Sequence, residues 1–197
     1  MYCEKIDDIL LDLEEKDIPL AGGSTIGIIL SVTNSLVKYI ANLTIGKKKY
    51  ILVENDIIEI LRNAETLKQR AKSVIDKDVK VLDNLLLSYK NRKSSKEDYE
   101  KSCKNATEFS LEVAKLSIDT LKLVGEISKV GNKMLKSDFE ICVYYSYAAL
   151  EASIVNIKVN LNSVEDTKFK NTIKETYNRM IKDAYTLKEN ILKEICK

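Results

Sequence analysis

NDIIEILRNAETLKQRAKSVIDKDVKVLDNLLLSYK, residues 55–90, decides the fold. Its apolar residues Ile57, Ile60, Leu61, Ala64, Leu67, Ala71, Val74, Ile75, Leu82 and Leu85 recur at steps of three and four, the period of one helical face. No proline or glycine interrupts the run. A helix this long with a single apolar stripe must lay that stripe on other helices. The rest of the chain reads the same way. Helices are predicted over Tyr2–Lys16, Ser24–Ile45, Asn55–Lys90, Lys96–Lys129, Ser137–Asn160 and Ser163–Cys196. Between them lie a loop over Asp17–Gly23, a polar break over Arg92–Lys96 and a loop over Val130–Lys136 that holds Gly131-Asn132. With one proline and six glycines in 197 residues, sharp breaks are few, which favours long helices over many short strands. No period-two stretch persists, and neither a repeat nor a linker divides the chain. The expectation is one all-α domain over residues 1–197, an antiparallel bundle of five or six helices. Ser137–Asn160 is apolar on nearly every side and is expected at its centre.

Composition narrows the function. Apolar residues make up 45% and charged residues 31%, which is ordinary for a globular protein, and the net charge is only +2. Lysines alternate with acids along solvated helix faces, so nucleic acid is not an expected partner. The most apolar run, Ile26–Ile45, carries Ser31, Asn34, Lys38 and Asn42, and reads as a buried helix, not a membrane span. No signal peptide is expected, and a cytoplasmic location is. Cys3, Cys103, Cys142 and Cys196 are widely spaced, with no CxxC pair and no histidine in the chain, so free thiols and no metal site are expected. Without histidine, any proton transfer must use Asp, Glu, Lys, Tyr, Cys or water.

Two local patterns point to a ligand. Pro19-Leu20-Ala21-Gly22-Gly23-Ser24 opens the second helix: Gly22 and Gly23 let backbone approach a ligand, and Ser24 is expected to cap the helix. Gly46-Lys47-Lys48-Lys49-Tyr50 closes it. Together they form a possible cradle for an anion, although the lysines also suit a solvated helix end. Polar residues interrupting apolar faces form the second pattern. Asp78 continues the stripe Leu67, Ala71, Val74/Ile75, Leu82, Leu85 of the long helix. A carboxylate there is employed at a site, satisfied by a lysine, or rolled out to solvent. On the fifth helix Asp138, Cys142, Tyr145, Ala149, Ala152, Asn156 and Asn160 follow one line. Asn156 and Asn160 lie one turn apart and could grip a heterocycle, whereas Ser137 or Asp138 could simply be an N-cap. The line Ser24, Gly27, Ser31, Asn34/Ser35, Lys38, Asn42 on the second helix reads equally as helix contacts or a pocket wall.

Taken together, these residues resemble the cyclodeaminase/cyclohydrolase family of folate enzymes, which includes the cyclodeaminase domain of formiminotransferase-cyclodeaminase. Leu20-Ala21-Gly22-Gly23-Ser24 matches the family's Pro-Gly-Gly-Gly-Ser loop. Leu43-Thr44-Ile45-Gly46-Lys47-Lys48-Lys49-Tyr50 matches Leu-Thr-x-Gly-Lys-Lys-x-Tyr. Asp78 matches a buried aspartate of the long helix, and Gly131-Asn132 with Ser137-Asp138 matches a Gly-Asn…Ser-Asp segment. Ala148-Ala149-Leu150-Glu151 and Asn156-Ile157-Lys158-Val159-Asn160-Leu161 complete the series, which spans nearly the whole chain. Leu20, Ala21, Leu30, Thr33, Ala152 and Lys158 depart from the pattern. Most of them add bulk where the family has glycine, so an altered pocket shape is expected.

The resemblance implies conversion of 5-formiminotetrahydrofolate to 5,10-methenyltetrahydrofolate with release of ammonia. It implies no cofactor beyond the tetrahydrofolate substrate, and a homodimer with its site near the subunit interface. Asp138 or Asp78 would supply the catalytic carboxylate. Gly22, Gly23 and Ser24 would line the substrate site, Asn132, Asn156 and Asn160 would orient the pterin, and Lys47 and Lys48 would meet the glutamate tail. The alternative is a methenyltetrahydrofolate cyclohydrolase that gives 10-formyltetrahydrofolate. A reading from another class is a non-catalytic helical interaction protein.

Overall fold

The computed structural model describes residues 2–16 and 20–197, with side chains from Ile6 onward. Six α-helices carry the fold: α1 (Tyr2–Glu14), α2 (Gly22–Asn42), α3 (Glu54–Asn91), α4 (Lys96–Val130), α5 (Lys136–Asn162) and α6 (Thr167–Cys196). Two 3-10 turns, Lys48–Val53 and Lys133–Leu135, lie between them, and no strand occurs among the described residues. Asp17, Ile18 and Pro19 of the expected loop fall outside the described residues.

Helix ends follow local chemistry. Ser95 caps α4: its Oγ accepts the Asp98 N–H at 3.4 Å and donates to Asp98 Oδ2 at 2.7 Å. Asp166 caps α6 by accepting the Phe169 N–H at 3.0 Å. That helix therefore starts at Thr167, not at Ser163. The intervening turn is held by Glu100, whose carboxylate accepts the N–H groups of Glu165 and Asp166 at 3.0 Å each. The second helix stops at Asn42, short of the expected Ile45, and Gly46 turns the chain with φ of 76°. The cap expected at Ser137 or Asp138 is absent, because α5 begins at Lys136 after Leu135.

α2, α3, α4 and α5 form a ring in which each packs on the next and α5 returns to α2; α6 lies across α4 and α5. The fifth helix thus touches α2, α4 and α6, as its composition predicts. Leu30, Val37, Ile40, Ile57, Leu121, Ile127, Phe139, Leu150 and Ile157 fill the interior. Each such side chain removed from water contributes about 1.5–3 kcal/mol. By length and composition α2 could cross a bilayer, but its buried face packs on α3, α4 and α5. The polar line of α2 resolves into helix contacts. Ser31 and Ser35 donate to the carbonyls four residues back, and Asn34 donates to Leu30 O and Thr120 Oγ1. Lys38 pairs with Glu65, which Lys68 also contacts at 2.8 Å; these cations and Gln69 pull the Glu65 carboxyl down to about 2.

Phe139 packs over Gly131, where an added Cβ would stand 3.0 Å from the Phe139 ring. Phe139→Ala should therefore lower the urea-unfolding free energy by about 3–5 kcal/mol, the cost of a buried aromatic-sized cavity. A loss under 1 kcal/mol would show that this end of the bundle does not rely on that ring.

Candidate active site

The ring of helices is uneven at one end. α2 begins at Gly22, whereas α3 and α4 run on past it. An open cleft of about 140 Å³ lies above the start of α2. Ala21, Gly22 and Gly23 form its floor; Asp78, Val81, Leu82 and Leu85 of α3 form one wall. Ala106, Phe109 and Ser110 of α4 and Asn156, Val159 and Asn160 of α5 form the others. The cleft is open to solvent and mostly apolar, with a few convergent polar groups.

Asp78 is the one charged residue on the cleft lining among the described residues. Ser24 Oγ donates to its Oδ2 at 2.9 Å, and the Ser24 backbone N–H bonds the same carboxylate. Asp78 thus caps α2 from another helix. Ser24 itself is fully buried and caps nothing; Gly22 and Gly23, expected in a loop, are the first helical residues, and Ala21 at the N-cap position provides no side-chain cap. The arrangement demands a glycine: a Cβ on Gly23 would lie 1.9 Å from Asp78 Oδ1. Two effects then compete for the Asp78 proton. The hydrogen bonds from Ser24 stabilise the anion. Burial penalises the anion more, and the carboxyl sits above its ordinary value of 3.8. No lysine pairs with it among the described residues. The side-chain amides of Asn156 and Asn160 make no hydrogen bond among the described residues, so their donors and acceptors are available to a ligand.

The sequence-predicted site residues separate into two groups. Gly22, Gly23, Asp78, Asn156 and Asn160 line the cleft, with Ser24 directly beneath. Asp138 stands in the first turn of α5, five helical turns or about 27 Å from Asn156. Lys47 and Lys48 follow the far end of α2, whose 21 residues span roughly 30 Å. The chain by itself therefore does not form the glycine–lysine cradle, and the single polar line of α5 does not converge, because each motif's two halves sit at opposite ends of a long helix. Asn132 is at the lysine end: its N–H donates to Thr44 Oγ1 at 3.0 Å, and its Oδ1 accepts from the Met134 N–H at 3.2 Å and Tyr50 OH at 3.4 Å. Leu82 and Leu85, which in sequence read as ordinary stripe residues, also border the cleft, as do Val81, Phe109 and Ser110, which the sequence does not single out. Of the departures from the family pattern, only Ala21 borders the cleft. No cluster of three acidic or sulfur side chains is placed to hold a metal among the described residues.

The formiminotransferase-cyclodeaminase family profile matches residues 5–179. The chain belongs to the formiminotransferase-cyclodeaminase family. It is 27% identical to a methenyltetrahydrofolate cyclohydrolase of Methylorubrum extorquens, with 98% of this chain and 96% of that protein covered. The fold is that of a formiminotetrahydrofolate cyclodeaminase from Thermotoga maritima: TM-score 0.82, 22% identity, 93% of each chain covered. In this member Asp78 lies against the glycine floor of the cleft.

The raised proton affinity of Asp78 has a signed consequence for stability. The folded chain binds that proton more tightly than the unfolded one, so stability falls as pH rises from just below 3.8 through the raised value, then levels off. Asn at this position still accepts from Ser24 but carries no charge. Asp78→Asn should match or exceed the wild type in urea midpoint at pH 7, and the gap should shrink at pH 4. A variant less stable than wild type at pH 7 would mean that the charge stabilises α2 more than its burial costs.

Proposed function

We propose that this family member acts on the one-carbon unit of tetrahydrofolate, with Asp78 as the proton carrier. The observation that carries the reading is a lone carboxylate of raised proton affinity, facing an apolar cleft beside two free amides. A pteridine is flat, apolar on its faces and rich in donors and acceptors on its edge. Leu82, Leu85 and Phe109 suit the faces, and Asn156 and Asn160 suit the edge. In the cyclodeaminase reaction, N10 attacks the carbon of the formimino group in its protonated, amidinium form, and Asp78 takes the N10 proton. The tetrahedral intermediate then expels its nitrogen as ammonia, with Asp78 returning the proton to it. A carboxylate with an elevated pKa does both tasks near neutrality better than an ordinary one. The product is a delocalised cation, and the anionic form of Asp78 stabilises it electrostatically.

The relative in Methylorubrum extorquens favours a second reading, methenyltetrahydrofolate cyclohydrolase. Water then adds to the same carbon while Asp78 takes one of its protons; Asp78 returns that proton to N5 as the C–N5 bond opens, and the remaining hydroxyl proton leaves to solvent as the carbonyl of 10-formyltetrahydrofolate forms. Parallel assays with the two folates, followed at the methenyl absorbance, separate them. Wild type should turn over at least one, and Asp78→Asn should lower that kcat by about 100-fold, the lower range for a positioned acid–base group. Undiminished turnover in Asp78→Asn would remove the residue from the chemistry.

The functional unit we infer is a homodimer. Ile141, Tyr145, Ala148, Ala152, Val155 and Val159 make a heptad-spaced stripe along α5, and most of it faces solvent: Val155 is 58% and Val159 61% exposed. Ile29, Val32 and Tyr39 extend the stripe onto the neighbouring α2. A continuous apolar face of this kind favours association. Pairing with a second copy about a two-fold axis perpendicular to α5 lays α5 antiparallel on its equivalent. The lysine and Asp138 end of one protomer then approaches the cleft of the other, where Lys47 and Lys48 can meet a folate's glutamate carboxylates. Light scattering should give twice the chain mass, and Val155→Glu should give a folded monomer. A wild-type monomer at assay concentration would refute the dimer.

A further inference from the structure

Beneath the cleft, next to Asp78, a recess of about 10 Å³ lies among Gly23, Ile26, Phe109, Ser110, Val113, Ser153 and Asn156. That is the room one water needs. We propose that Asn156 and one of the two serines, Ser110 or Ser153, hold a single water against the Asp78 carboxylate, and that this water fixes the carboxylate and sets how readily it takes up a proton. The serine is a positioning residue; its catalytic consequence rests on the folate reading above, but the water site does not.

The polar inventory of the recess suits a water. Ser110 Oγ donates to Ala106 O at 2.8 Å and Ser153 Oγ to Ala149 O at 2.7 Å, so each hydroxyl oxygen still has lone pairs to accept with. The Asn156 amide, free of protein hydrogen bonds among the described residues, can donate to the water oxygen. The Asp78 carboxylate accepts one water proton and a serine oxygen the other. Three or four partners is the usual complement of a structural water. Ile26, Phe109 and Val113 close the recess with apolar surface.

The plainer explanation is that small hydroxyl residues let α4 and α5 approach closely. Thr107, Ser117 and Ser146 serve that way, bonding the carbonyl four residues back. Ser110 and Ser153 differ in one respect: both border the recess with Asp78. Alanine separates the two explanations. It preserves the close approach and favours helix, but removes the water's serine acceptor.

The test is the double variant Ser110→Ala/Ser153→Ala. Without its water, Asp78 is more fully desolvated, so its titration should move to higher pH by about half a unit or more. Carbon-13 NMR of aspartate-labelled protein reads this without substrate. The acidic limb of the kcat/KM profile should move with it, while KM stays within about twofold. A crystal structure of the wild type should show one solvent peak in the recess, bonded to Asp78. A double variant that titrates like wild type overturns the proposal, as does a recess without solvent density. Should the double variant not fold, the wild-type density decides. If neither folate is turned over, the proposed function fails while density and titration still judge the water.

Discussion

The contact between Asp78 and the start of α2 organises this molecule. A helix N-terminus exposes unpaired N–H groups, and here an aspartate from the neighbouring helix meets one of them, at Ser24, and accepts from the Ser24 hydroxyl as well. The carboxylate can lie there only because position 23 has no Cβ. One interaction therefore joins three facts: where α2 begins, why a glycine stands inside its first turn, and why a carboxylate is kept partly out of water. Desolvation opposes the hydrogen bonds and prevails, which leaves a proton acceptor tuned upward at the floor of a cleft.

The cleft follows from helix lengths. α3 and α4 outlast α2, so space opens along the axis that α2 vacates, and its first peptide groups face that space. The fold supplies apolar walls from stripes that elsewhere serve as core. Function here costs little extra architecture: residues continuing a packing stripe, such as Leu82 and Leu85, become ligand-facing simply because the partner helix has ended. A chain with no histidine can run acid–base chemistry on such a carboxylate, since its environment does the tuning that an imidazole would not require.

Much of this was legible in the sequence, for reasons specific to each element. The uninterrupted three-and-four spacing of residues 55–90 allowed no other reading, and helices α3 and α4 begin and end within a residue or two of expectation. Boundaries failed where capping came from outside the helix. Gly22 and Gly23 look like a loop because nothing local signals that Asp78 will cap them from α3. Asp78, Asn156 and Asn160 were detectable as polar breaks in apolar stripes. Phe109, Ser110 and Ser153 were not, since only three-dimensional apposition distinguishes them from core. The lysine motif and Asp138 were noticed, but their distance from the cleft follows from the straightness of α2 and α5, and sequence spacing carries no such information.

The central claim is that the end of the bundle capped by Asp78 is where a folate binds and reacts. A crystal structure with 5-formyltetrahydrofolate, a stable analogue carrying the one-carbon unit on N5, tests it most directly. The pteridine is expected between Phe109 and Leu82, with its edge on Asn156 and Asn160 and the one-carbon unit within hydrogen-bond reach of Asp78, directly or through one water. A ligand seated away from Asp78, for example wholly on the Lys47–Lys49 end of one protomer, would contradict it.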